Sequence, residues 1–337
     1  MNNQQYTNDP AALQSVKGGI IGLFTADALG VPYEFMSRKE IAARPATDMI
    51  GYGTHNQPPG TWSDDSTMTL CLLYSLVMHP QLDTDDLGRR FIQWYRQGLW
   101  TAHDELFDIG IATRQALTRM ESGAVPYEQA GGEDEYSNGN GSLMRILPLV
   151  YRLSHTTIAE RYEWVRRVSS LTHRHPVSLL AGVIYVELGV ELLHSPPARS
   201  LRDSYLAVCE TIRRHYSDHA EYDRFTRILQ GNLDQLSVDN IASGGYVLHT
   251  LEASIWTLLT TDSYREAVLT AVNLGEDTDT TAAVTGGLAG LYYGYDAIPA
   301  EWRSQLARLD DIEEICERFD RMIQSLSSQT GGGTNHE

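Results

Sequence analysis

The chain has 337 residues, 42% hydrophobic and 21% charged, enough for one large or two small globular domains whose core needs no covalent staples. A net charge of −18 excludes non-specific nucleic-acid binding and a basic membrane-surface helix. Cys71, Cys209 and Cys316, odd in number and far apart, suggest neither a disulfide framework nor a zinc site. The opening MNNQQYTNDP lacks a signal-peptide layout and no apolar run approaches a membrane span, so a soluble, cytoplasmic protein with no nucleic-acid or membrane partner is expected.

In chain order, residues 1–10 read as a disordered lead to a domain spanning 11–326. From Ala11, the positions Leu13, Val16, Ile20 and Phe24 recur at helical spacing, and Gly30 with Pro32 ends that helix. Asp27 falls in its last turn, where an acid opposes the dipole, and Glu34 lies just beyond. Residues 44–61 are a Pro- and Gly-rich loop. It leads into Thr61-Trp62-Ser63-Asp64-Asp65-Ser66-Thr67, a knot of carboxylates and hydroxyls opening an apolar helix from Met68 to Met78. An amphipathic helix is predicted over 83–100, then an acidic turn in which Asp108 sits between Phe107 and Ile109, then a helix over 111–122. The loop 123–141 closes with Asn138-Gly139-Asn140-Gly141-Ser142 directly before a helix predicted over 143–153. A Gly-rich turn at a helix N-terminus offers N–H groups to an anion such as phosphate, although Asn-Gly turns also cap helices with no ligand.

A charged helix over 161–172 runs into Thr172-His173-Arg174-His175-Pro176, with Pro176 placed for the first turn of an apolar helix over 177–193. Two histidines at this junction, with no Cys or third His near, do not make a zinc site and read equally as satisfied junction residues. An exposed helical pair over 195–240, helices over 242–260 and 264–273, an amphipathic helix over 310–323 and a flexible tail over 327–337 complete the pattern. Before that last helix comes Gly275-Glu276-Asp277-Thr278-Asp279-Thr280-Thr281, which opens the uncharged run AAVTGGLAGLYYG. Ala282, Gly286 and Gly290 recur there every four residues, a small-residue stripe that predicts a central buried helix. Strand signals are nearly absent, so the fold class is all-α, a single compact multi-helix bundle.

Each acidic cluster holds more carboxylates and hydroxyls than one N-cap requires. Brought together, Asp64, Asp65, Asp277 and Asp279 would place four negative charges at two helix mouths, a repulsion that two divalent cations would balance. Oxygen donors without imidazole or thiolate favour Mg²⁺ or Mn²⁺ over Zn²⁺, and two such ions about 4 Å apart could orient vicinal hydroxyls or a water. The alternative is two over-decorated caps lying apart.

Ala26-Asp27-Ala28-Leu29-Gly30 with Glu34, Trp62-Ser63-Asp64-Asp65-Ser66, Asn138 to Arg145, Thr172-His173 and Asp277-Thr278-Asp279-Thr280 occur in the order seen in the ADP-ribosylglycohydrolase family, which the chain resembles. The resemblance implies an all-α fold with a binuclear Mg²⁺ or Mn²⁺ centre that hydrolyses the bond between ADP-ribose and an acceptor. It implies Ser63, Asp64, Asp65, Asp277, Asp279 and Thr280 as metal ligands and Glu34 as an acid beside the ribose and metals. Asn140, Gly141, Ser142, Leu143 and Met144 would form the pyrophosphate segment, with His173 near the distal ribose and phosphates. Asp108 matches the acid that faces arginine in arginine-specific members. Asp65 or Glu34 would serve as general base, and one of them or Asp108 would protonate or hold the leaving group. Three departures stand out: Ser63 where Thr is more frequent, Ile111 where arginine-specific members often have Asn, and Glu276 where Gly is usual. The expected function is removal of mono-ADP-ribosylation from protein arginine, releasing ADP-ribose. Hydrolysis of O-linked or free derivatives such as O-acetyl-ADP-ribose, or non-catalytic ADP-ribose binding, are the alternatives.

Overall fold

Small side chains decide the centre of the molecule. The computed structural model describes residues 10–196 and 198–331. In it α1 (Pro10–Gly30) lies against a helix near the other end of the chain, Thr278–Tyr293, along the stripe of glycines that both carry. A Cβ built on Gly290 would sit 2.0 Å from Gly18 O, and one on Gly22 would sit 2.6 Å from Gly286 O, so backbone meets backbone. Glycine inside a helix costs about 1 kcal/mol relative to alanine, and close packing of two backbones offsets it here.

Between these partners the chain lays down α2 (Arg38–Ala43), α3 (Asp64–Met78), α4 (Thr84–Gln97), α5 (Ile111–Glu121), α6 (Pro148–Arg152), α7 (Ile158–Ser170), α8 (Pro176–His194), α9 (Leu201–Tyr216), α10 (Thr226–Leu229), α11 (Val247–Leu259) and α12 (Tyr264–Asn273). The central helix is α13, followed by α14 (Ala300–Arg303) and α15 (Leu309–Gly331). Helices α1, α8, α11 and α12 surround α13, burying every residue from Thr278 to Leu291. Helix α3 packs against α1, α4, α13 and α15, which brings its N-terminus towards that of α13. Among the described residues there are isolated bridges and no strands, so the all-α single domain expected from the sequence is what forms.

Several boundaries differ from expectation. The helix predicted over 143–153 shrinks to Pro148–Arg152, because Pro148 has no N–H to bond Met144 O and the Gly141 carbonyl is taken by the Arg145 side chain. Residues 242–246 are extended loop rather than helix, and the pair expected over 195–240 is one long helix, α9, followed by short turns. The tail expected from 327 continues as helix to Gly331, where the hydroxyls of Ser327 and Ser328 donate back to Ile323 O and Gln324 O. The rest of that tail, and residues 1–9 of the lead, lie outside the described residues. Helix α8 corrects the reading that no segment approaches a membrane span: it has 19 residues, and an 18-residue window within it reaches a mean hydropathy of 1.7. It is wrapped on nearly all sides by the domain, so it serves as a core helix.

Candidate active site

Four segments converge on one cleft. Gly30 and a short 3₁₀ turn, Val31–Tyr33, end α1 and project Glu34; the mouths of α3 and α13 bring their clusters; the turn before α5 brings Asp108. Asp27, fully buried in the last turn of α1, receives the Ser63 N–H at 3.0 Å and the Ser66 N–H at 3.1 Å. An acid that opposes the dipole of its own helix thus caps the neighbouring α3. Within the cleft Ser63 Oγ donates to Asp65 Oδ2 at 3.1 Å, and Thr280 Oγ1 donates to the same oxygen at 3.3 Å. Carboxylate oxygens of Glu34, Asp277 and Asp279 fall within 4.8 Å of one another, as do ligand atoms of Glu34, His55 and Asp108. Asp64 lies beside both Asp108 and the Gly110 amide.

Simple capping does not account for these acids. Ser63 does cap α3, accepting the Asp65 N–H. Asp277, at the corresponding position of α13, makes no side-chain cap; it accepts a 2.9 Å hydrogen bond from Asn140 Nδ2 instead. Burial drives the carboxyl groups of Asp64, Asp65 and Asp279 well above the carboxylate range, and the neighbouring acids push them further. Burial also raises Asp277 and Asp108, and it lifts Glu34 to about 7; there the His55 hydrogen bond opposes it while Asp108 and Asp277 add to it.

Three oxygens show what the cluster lacks. Asp65 Oδ1, Asp277 Oδ1 and Asp279 Oδ2 are buried with no hydrogen-bond partner among the described residues. A buried carboxylate oxygen left unpaired is costly, and a cation removes that cost. The donors are carboxylates and hydroxyls, which suits a hard divalent ion, so these residues fit a metal.

The backbone of this cleft is unusual. Phe35 donates its N–H to Glu276 O and Glu276 donates to Met36 O, both at 2.7 Å, zipping the Glu34 arm to the Asp277 arm. Phe35 and Glu276 adopt φ of 66° and 64°, left-handed values that favour glycine. The Glu276 carboxylate extends over Gly244, while Asp277 Oδ2 approaches the adjacent Gly245.

One wall is the turn through Asn138–Ser142, tied to the 243–247 loop by Asn140 N→Gly245 O and Val247 N→Asn138 O, each 3.1 Å. The N–H groups of Gly141 and Ser142 meet no acceptor among the described residues. Leu143 and Met144 spend theirs on Asn140 O, at 2.8 and 3.1 Å, and their side chains join the core. Asn140 spends its own donors as well, its N–H on Gly245 O and its Nδ2 on Thr250 Oγ1 and Asp277 Oδ2, so the N–H groups left open here are those of Gly141 and Ser142, in a turn rather than at a helix N-terminus. His173 lies under this turn, within 3.5 Å of where a Gly139 Cβ would be. His175 faces away and caps α8, its Nδ1 accepting the Val177 N–H.

His55 and Arg145 are the residues that sequence reasoning misses. His55 Nε2 hydrogen-bonds Glu34 Oε2, and its ring lies between those of Phe35 and Phe107, with centroids 5.9 and 5.2 Å away. A single histidine in a Pro- and Gly-rich loop carries no signal of a partner 21 positions back. Arg145, fully buried, clamps Gly141 O from below.

Comparison with known proteins agrees with this geometry. The family model described as ADP-ribosylglycohydrolase matches residues 8–329. ADP-ribosylarginine hydrolase Tri1 of Pseudomonas putida (strain GB-1) is 33% identical over 93% of this chain and 80% of its own length. ADP-ribosyl-[dinitrogen reductase] glycohydrolase of Rhodospirillum rubrum is 30% identical over 88% of this chain and 92% of its own. A solved structure titled ADP-ribosylglycohydrolase-related protein complex superposes with a TM-score of 0.77 at 32% identity, covering 93% of this chain and 99% of that one. With the acid-lined cleft, the helical scaffold and a family match along nearly the whole length, this chain belongs to the ADP-ribosylglycohydrolase family.

Proposed function

We propose that the protein hydrolyses the N-glycosidic bond between ADP-ribose and a protein arginine, removing mono-ADP-ribosylation. The observation that carries this reading is the meeting of the α3 and α13 acids around three unpartnered buried carboxylate oxygens, with Glu34 and Asp108 beside them. Relatives named for ADP-ribosylarginine and for dinitrogen reductase support arginine as the acceptor.

Ser63, Asp64, Asp65, Asp277, Asp279 and Thr280 would hold two divalent ions, Mg²⁺ or Mn²⁺. Bound there, such ions supply charge neutralisation and a water of lowered pKa. Gly141, Ser142 and His173 would anchor the pyrophosphate, which sets the distal ribose against the acids. Cleavage at an anomeric carbon develops oxocarbenium character, and the carboxylates of Asp65 and Glu34 stabilise that positive charge. Water forms the new C1–O bond as the C1–N bond breaks, its electron pair leaving with the guanidine. Glu34 or Asp65 accepts the proton of the water as the new bond forms. Asp108 pairs the acceptor guanidinium and holds it as it leaves.

Initial rates on ADP-ribosyl-arginine, ADP-ribosyl-serine peptide and O-acetyl-ADP-ribose, each in Mg²⁺ and in Mn²⁺, test the reading. Arginine release should be the fastest by tenfold or more. Equal or faster release from the serine or ester substrate would overturn the acceptor assignment, and ADP-ribose binding without any turnover would overturn catalysis.

A further inference from the structure

Arg145 is a buried cation with no acid in contact among the described residues. Its Nη2 donates to Thr172 Oγ1 at 2.7 Å and to Val168 O at 3.2 Å, its Nη1 donates to Gly141 O, and the Phe91 ring lies 5.0 Å beneath it. A guanidinium can only donate, so Thr172 Oγ1 must accept from it. The hydroxyl still has one proton of its own, in a residue with no exposed surface. The acceptor within reach is His173 Nδ1, 2.8 Å away. Placed there, the proton satisfies both the hydroxyl and the imidazole nitrogen, whereas an Nδ1–H imidazole would strand the buried hydroxyl proton. His173 Nδ1 is then an acceptor and its proton sits on Nε2. That nitrogen meets no protein acceptor among the described residues and lies beneath Gly139 and Gly141.

We propose that Arg145 and Thr172 form a one-way hydrogen-bond relay that locks His173 as a neutral imidazole with its Nε2–H aimed at the glycine turn, a donor for the phosphate oxygens of the ligand. This makes Arg145 and Thr172 positioning residues. The proposal rests on the reading of that turn as the pyrophosphate site. Its logic is that a charged imidazole could rotate or lose its proton, while a tautomer fixed from behind presents one donor in one direction. Burial beside Arg145 holds the imidazole neutral, lowering it to about 3.

The test is nitrogen NMR of the full-length protein labelled with ¹⁵N-histidine at pH 7, with His173→Gln identifying the resonance. The relay predicts the shift pair of a neutral Nε2–H imidazole before any ligand is added, and a change at Nε2 when ADP-ribose binds. Thr172→Val should mix the tautomers and raise KM for an ADP-ribosylated substrate about tenfold with kcat within about twofold; Thr172→Ser should restore both. In a His173→Gln background the Thr172→Val change should add no further KM effect. An Nδ1–H or doubly protonated His173 in the wild type would overturn the relay, as would an equal Thr172→Val penalty in the His173→Gln background. An Nε2–H tautomer whose resonances ignore ADP-ribose would instead overturn the pyrophosphate reading, and with it the donor role.

Discussion

Thr280 Oγ1 lies 3.3 Å from Asp65 Oδ2 although 215 positions separate them in the chain. That contact joins the mouths of α3 and α13 and makes the acid clusters a single site. Substituting either side of it should therefore disable the same function. Asp65→Asn and Asp279→Asn should each lower turnover on the order of a thousandfold while circular dichroism shows the helices intact. A divalent ion at a hundred times its dissociation constant should stabilise the wild type by about 2.7 kcal/mol in thermal melts, and chelation should remove the gain. Neither variant should show the full gain, and unchanged turnover in both would refute the site.

The meeting of α1 and α13 leaves no room for a methyl group. Gly290→Ala places Cβ 2.0 Å from Gly18 O, a backbone atom that cannot rotate away. Destabilisation of about 3 kcal/mol or more is expected, read as a lower urea midpoint with an unchanged slope.

Glu276 stands where its φ of 64° favours glycine. Glu276→Gly should relieve that strain, partly offset by the added freedom of the unfolded chain, for a net gain of about 1 kcal/mol or less. Metal affinity should not change, because Glu276 is not among the residues that would hold the ions. Calorimetry with and without Mn²⁺ separates the two quantities.

His173 supplies a pH signature. Its folded-state value, lowered by burial and by Arg145, lies below that of the unfolded chain, so its contribution is intact above about 6.5 and is lost as pH falls towards the folded value of about 3. Between pH 6 and 5 the wild type should lose about 1 kcal/mol of stability that His173→Gln retains. Parallel denaturant titrations of the two proteins measure the difference.

His55 holds Glu34 within the cleft, beside Asp108. His55→Ala should lower kcat about tenfold on the arginine-linked substrate, because Glu34 loses the partner that orients it. The ring also closes the row formed with Phe35 and Phe107, so the acceptor KM should rise. An unaltered kcat would remove His55 from the site.

The helical scaffold is legible in the sequence wherever one local period decides the outcome. The four-residue spacing of Ala282, Gly286 and Gly290 specifies the central helix, and Asp83 with Gly98 marks the ends of α4 through ordinary cap chemistry. The convergence of Asp64 and Asp279 is legible only through the order of several motifs, since nothing local to either states that they meet. Residues whose role depends on distant partners escape altogether. Nothing local to Arg145 tells that the fold buries it under the Gly141 carbonyl, or that the Leu143 and Met144 amides close a turn on Asn140 O. Ser327 and Ser328 resemble tail residues, yet their hydroxyls prolong α15.

The pairing of the first helix with the thirteenth has a bearing on biosynthesis. A ribosome delivers α1 well before the surface that covers it, with eleven other helices made in between. Until then α1 exposes its apolar side chains and half of the acid cluster does not exist. The site is thus incomplete throughout the interval between the emergence of α1 and that of α13, and that interval is when a chaperone is most needed.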